Sequence, residues 1–137
     1  MSKIEDGIYT ISVPMGSGCI TDPGEGRWVP LMPHKSLGKD ADKIRIKYNH
    51  ERGAYTLQFQ KSKKYLSYEG PPSEDNKLMD SHKARYFKIE QHPYGQWVIK
   101  IAENLYYHVG IATERIIPPW VAMTSHDEVQ QWEIKKI

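Results

Sequence analysis

The side chains best able to do chemistry are six histidines and one cysteine, and their spacing decides how much they can do. His34, His50, His82, His92, His108 and His126 are scattered, with no His-Glu-x-x-His, no paired cysteines and no carboxylate at a metal-binding spacing. They read as surface or turn residues, and neither a metal nor a cofactor is expected. Cys19 follows Gly18 in the apolar stretch Cys19-Ile20-Thr21, where a small buried core residue is the simpler reading than a nucleophile. No glycine-rich phosphate loop precedes a helix, and there is no Gly-x-Ser-x-Gly elbow. The expectation is a protein that binds and is not an enzyme.

Binding residues are easier to find. Asp22-Pro23-Gly24-Glu25-Gly26-Arg27-Trp28-Val29-Pro30 presents one arginine between two prolines, which fix φ and lower the entropy lost on docking. An exposed, extended stretch of this kind suits insertion into a protease cleft, with Gly26, Arg27 and Trp28 as the contact residues. Arg27 would then pair with a carboxylate in the pocket of a trypsin-like enzyme. The competing reading is an ordinary turn with a solvated arginine. Arg115-Ile116-Ile117-Pro118-Pro119-Trp120 is an alternative loop, with Arg115 and Ile116 as its contacts, and Asn76-Lys77 after Gly70-Pro71-Pro72 is a third.

The elements that must position these loops follow from an internal repeat. Gly7-Ile8-Tyr9-Thr10-Ile11 returns as Gly53-Ala54-Tyr55-Thr56-Leu57 and as Gly95-Gln96-Trp97-Val98-Ile99, after 46 and then 42 positions. Each copy puts an aromatic and an aliphatic residue on one face of a strand behind a turn glycine. A second marker keeps step: Ile44-Arg45-Ile46, Phe87-Lys88-Ile89 and Trp132-Glu133-Ile134 alternate buried and solvated positions. Two weaker strands lie between the markers in every unit: Cys19–Thr21 and Trp28–Leu31, Lys64–Tyr68 and Lys77–Met79, Leu105–Val109 and Trp120–Thr124.

Four strands in three units, over about 5–49, 50–91 and 92–137, predict an all-β fold of twelve strands. Six would close a barrel and three hairpins would cap it: a β-trefoil with pseudo-threefold symmetry. Tyr9, Ile11, Tyr55, Leu57, Trp97 and Ile99 are predicted core, with Ile44, Ile46, Phe87, Ile89, Trp132 and Ile134. Little helix is expected beyond a short turn near Leu37 to Asp42.

Composition sets the remaining bounds. The 137 residues suit one domain, and a single cysteine excludes an internal disulfide and favours a reducing compartment. Nineteen basic against seventeen acidic side chains, net +2, are too balanced to imply nucleic acid or an anionic membrane as partner. No basic-then-apolar leader and no bilayer-length apolar run are present, so a soluble, cytoplasmic or vacuolar monomer is expected.

The opening Glu5-Asp6-Gly7-Ile8-Tyr9-Thr10-Ile11, the aromatic-x-Ile ends of each unit, Val109-Gly110 before Pro118-Pro119 and the closing Gln131-Trp132-Glu133-Ile134-Lys135-Lys136-Ile137 resemble the small β-trefoil peptidase inhibitors of mushrooms. Both the cospin-type inhibitors of serine proteases and the mycocypins are similar in layout. The resemblance implies a tight-binding inhibitor acting in defence, its reactive loop between the second and third strands, here Asp22 to Trp28. For a mycocypin-like target, a papain-like cysteine protease, it points instead to Gly16-Ser17-Gly18 and the stretch around Gly38. Lys61-Ser62-Lys63 lacks the asparagine that legumain inhibition would need. Gln130-Gln131-Trp132 also contains one Gln-x-Trp, the mark of ricin-type lectins, without a matching glutamine before Phe87 or Ile44. A sugar site additionally needs an aspartate beside a stacking aromatic, which Asp22 with Trp28, or Tyr106 and Tyr107 with Asp127, would supply. A target protease and glycans are thus the two classes of partner expected.

Overall fold

A computed structural model describes residues 3–16 and 18–137; Ser17, at the centre of the Gly16-Ser17-Gly18 stretch, lies outside the described residues. Twelve strands and no helix are found among the described residues. They are β1 (Gly7–Ser12), β2 (Cys19–Ile20), β3 (Leu31–Met32), β4 (Ile44–Asn49), β5 (Ala54–Phe59) and β6 (Tyr65–Ser67), followed by β7 (Met79–Ser81), β8 (Phe87–Gln91), β9 (Trp97–Ile101), β10 (His108–Ile111), β11 (Val121–Thr124) and β12 (Glu133–Lys136).

Alternation of apolar and polar residues makes the long strands amphipathic, so they pair edge to edge with their apolar faces inward. β1 pairs with β4, β4 with β5, β5 with β8 and β8 with β9, all antiparallel. The ring is completed where Trp97 and Trp132 exchange backbone hydrogen bonds of 2.9 and 2.7 Å and β12 pairs with β1. Six strands therefore close a barrel with no free edge. The hairpins β2–β3, β6–β7 and β10–β11 branch from it at Ser12↔Cys19, Gln58↔Tyr65 and Lys100↔His108, the barrel-side residues following the same 46- and 42-residue steps as the sequence repeat.

The hairpins meet on the pseudo-threefold axis. Val29 N–H donates to Leu78 C=O (2.9 Å), Leu78 N–H to Val121 C=O (3.0 Å) and Val121 N–H to Val29 C=O (2.8 Å), a closed ring of three bonds. All three side chains are fully buried. Each unit thereby satisfies a backbone donor and acceptor that would otherwise be buried without partners. The fold is the β-trefoil that the repeat predicts.

Most predicted core residues are buried: Tyr9, Ile11, Ile44, Ile46, Tyr55, Leu57, Phe87, Ile89, Ile99 and Trp132. Trp97 and Ile134 are only half-buried and pack against the core from its rim. Trp132 takes the interior place at the barrel seam, its Nε1–H donating to Val109 C=O at 3.1 Å. The strand expected over Trp28–Leu31 is replaced by isolated bridges at Trp28 and Pro30, followed by Leu31–Met32. Its residues face different neighbours: Trp28 meets Met79 and Pro30 meets Trp120. Likewise the third hairpin begins at His108 and not at Leu105, because Leu105 and Tyr106 lie exposed in a turn. Leu37 to Asp42 forms successive turns.

Candidate functional site

The Asp22–Trp28 loop departs from the extended strand that cleft insertion requires. Gly24, Glu25 and Gly26 take φ of +75°, +58° and +69°, so three successive left-handed residues curl the chain into a compact turn. Asp22 fixes that turn. Its Oδ1 accepts from Gly24 N–H (3.0 Å) and its Oδ2 from Ser62 N–H (3.2 Å), tying the first hairpin to the β5–β6 turn. The buried carboxylate is thus committed to backbone donors and does not face a ligand beside Trp28. Arg27 folds back too: Nη2 donates to Pro23 C=O at 2.7 Å and Nε to Gly24 C=O at 3.3 Å. Its guanidinium serves the turn in place of projecting from it, a correction to the picture of an outstretched anchor.

Trp28 remains 45% exposed. Its ring meets Trp120 edge to face, with centroids 4.7 Å apart and planes at 84°, an arrangement that favours the positive edge of one indole over the negative face of the other. Lys77 Nζ stands 5.1 Å from the Trp28 ring centre and 6.0 Å from that of Trp120. Each of these three residues precedes one member of the Val29, Leu78, Val121 ring, so they are threefold equivalents gathered at one end of the axis.

Lys77 is clamped by Glu114 Oε2 (2.7 Å) and Asp75 Oδ2 (2.9 Å). Burial pulls its pKa down, but the hydrogen bonds to Glu114 and Asp75 outweigh that and hold the ammonium above its ordinary range. Asp75 is itself oriented by Thr113, which donates to it from N–H (3.1 Å) and from its hydroxyl (3.2 Å). The two indoles form a wall of a shallow depression of about 580 Å³, completed by Pro23, Gly26, Arg27, Pro30 and Leu37. Chemically this is an aromatic platform, partly open to solvent, with the Arg27 guanidinium at its margin.

The other predicted residues are placed differently. Arg115 and Ile116 are exposed on their loop, and Ile117 beside them is 98% exposed. Asn76 instead turns inward on its own loop, donating from Nδ2 to Glu69 C=O at 3.0 Å. Tyr106 and Tyr107 pack edge to face, 5.2 Å apart, whereas Asp127 lines a separate depression with His92, Gln96 and Gln130 that neither tyrosine enters. Gln130 bonds locally to Gln131 C=O and Trp132 is buried, so Gln-x-Trp is structural here.

Two arrangements escape the sequence reading. Lys77 and Trp120 join Trp28, for which the only signal is a shared Trp-Val in the first and third units, broken to Lys77-Leu78 in the second. Cys19, His34 and Asp42 also come together, their ligating atoms all within 4.8 Å of one another. Burial, and then the neighbouring Asp42, push the Cys19 thiol above its ordinary pKa.

No family model matches the chain, and no curated protein matches it. Solved structures do. The Rhizoctonia solani agglutinin superposes with a TM-score of 0.83 at 19% identity, covering 100% of this chain and 99% of its own. The Macrolepiota procera ricin B-like lectin, in complex with lactose, gives 0.83 at 18% identity, covering 99% and 100%. The designed threefold-symmetric protein ThreeFoil gives 0.82 at 14% identity, covering 96% and 100%. At these identities the likeness establishes the β-trefoil fold; residues and chemistry must carry anything further.

Proposed function

We propose that this β-trefoil is a carbohydrate-binding protein whose primary contact is the Trp28 platform. The observation that carries the reading is an indole left 45% exposed while being held rigidly by Trp120 and Lys77. A sugar ring stacks its apolar C–H face on such a surface while its hydroxyls turn to polar groups at the margin. Pre-positioning the ring lowers the ordering cost on binding. Two of the similar folds are an agglutinin and a lectin in complex with lactose, which supports the same class of ligand. On this reading the protein binds and performs no reaction.

A glycan array read with the wild type and Trp28→Ala tests it. The wild type is expected to mark a defined set of glycans, and the variant to lose about tenfold or more in affinity for them, the effect of removing a binding hot spot. An array on which the folded wild type binds nothing overturns the proposal, as does undiminished binding by the variant.

A second reading, occlusion of a protease cleft, rests on the Arg115–Pro119 loop. There Ile117 is almost wholly exposed, ahead of two φ-restricted prolines. Inhibition of trypsin or papain that disappears in Arg115→Ala or Ile117→Ala, together with a silent array, would favour it.

A further inference from the structure

We infer that Cys19, His34 and Asp42 form a zinc-binding site. The three residues come from separate segments: Cys19 opens β2, while His34 and Asp42 stand at the two ends of the turn-rich β3–β4 loop. That loop is held against β2 by Asp22 N–H donating to Ala41 C=O at 2.8 Å. His34 Nδ1 lies 2.5 Å from Asp42 Oδ2, and a ligating atom of each residue falls within 4.8 Å of the other two. Thiolate, imidazole and carboxylate together make the donor set of a borderline-soft cation, and tetrahedral coordination by three protein ligands leaves a fourth position for water or another donor.

A second observation points to the same place. Asp42 is 1% exposed, and its Oδ1 is buried with no hydrogen-bond partner. Buried carboxylate oxygens are ordinarily satisfied, and a cation bound there would supply what is missing. Oδ2 is meanwhile oriented by Lys35 N–H at 3.0 Å, delivered from a residue at φ +62°. A fixed second bond of this kind orients a metal-binding carboxylate. Zn²⁺ would take the place of the hydrogen between His34 Nδ1 and Asp42 Oδ2 and of the Cys19 thiol proton, both released to solvent, and would draw the three groups together. His34 is more than half exposed, and the cluster borders a depression shared with Thr10, Ser12 and Glu133, so an entry path exists. None of these residues lines the Trp28 depression.

The test uses the full chain, stripped with a chelator and titrated with Zn²⁺ by calorimetry, and in parallel with Co²⁺ by absorption. One Zn²⁺ per chain, a raised Tm and a thiolate-to-cobalt charge-transfer band are expected. Cys19→Ser should abolish that band, and His34→Ala should weaken Zn²⁺ binding about tenfold or more. Because His34 sits on an exposed loop, its variant keeps the test independent of folding. Absence of stoichiometric uptake overturns the site, as does uptake that neither substitution changes or a Co²⁺ spectrum lacking the sulfur band.

Discussion

Two concentric sets of residues on the pseudo-threefold axis obey opposite rules. The inner set, Val29, Leu78 and Val121, is aliphatic in all three units, fully buried and joined in a ring of backbone bonds. The outer set, Trp28, Lys77 and Trp120, occupies matching positions one residue earlier, yet the second unit breaks the pattern with a cation. Symmetry is kept at the positions that carry the backbone ring and relaxed at positions flanking it. The same contrast appears at a third set, Leu31, Asp80 and Met123, paired with Ile20, Leu66 and Val109 across the three hairpins. Two members are apolar core; the third is a buried carboxylate with neither oxygen hydrogen-bonded.

Breaking the inner set should have the largest effect. Leu78→Ala removes a fully buried side chain at the meeting point of the hairpins and is expected to cost about 2–5 kcal/mol in chemical denaturation. Next comes Gly110, matched by Thr21 and Ser67 in the other units. A Cβ there would lie 2.9 Å from Thr124 Oγ1 and 3.1 Å from its Cγ2. Gly110→Ala should therefore destabilise by about 1–3 kcal/mol through overpacking, and a neutral effect would mean that β11 yields easily.

Trp28→Ala sharpens the contrast from the outside. Its edge-to-face contact with Trp120 and its place beside the Lys77 ammonium are at stake, so stability should fall by about 1–2 kcal/mol, while the glycan binding proposed above is lost. Stability loss on the scale of Leu78→Ala would assign Trp28 to the scaffold.

Asp80→Asn should act in the opposite direction and by the smallest amount. Burial first, and then Asp22, raise the Asp80 pKa, and Lys64 Nζ at 3.8 Å offsets this only in part. A carboxyl whose folded pKa lies above the ordinary 3.8 penalises the native state once the pH exceeds its folded value. The penalty fades as pH falls through that value and is gone below 3.8. Asp80→Asn is thus expected to raise Tm at pH 7, with the gain shrinking toward pH 4. An equal gain at both pH values, or a loss at pH 7, would show that the carboxylate is not the source of the penalty.

The sequence made the fold legible because two strand markers recur with one period, and the barrel needs nothing more than those alternating faces. Trp97 and Ile134 escaped because alternation tells which face is apolar and not how far a residue sits from a barrel seam. The loops were less readable for a different reason. Pro23 and Pro30 rightly pointed to rigidity, but nothing in Gly24-Glu25-Gly26 disclosed that all three would turn left-handed and leave Arg27 to cap the carbonyls of Pro23 and Gly24. Cys19, His34 and Asp42 converge only once the β3–β4 loop folds onto β2, a contact that no spacing rule anticipates.

The three-bond ring at Val29, Leu78 and Val121 has no first or last member. A chain cut down to two units would keep one such bond and leave a donor on one side and an acceptor on the other, both facing an apolar gap. An isolated unit could complete the circle by recruiting two copies of itself, so the smallest self-sufficient assembly is a set of three, whether or not a peptide bond links them.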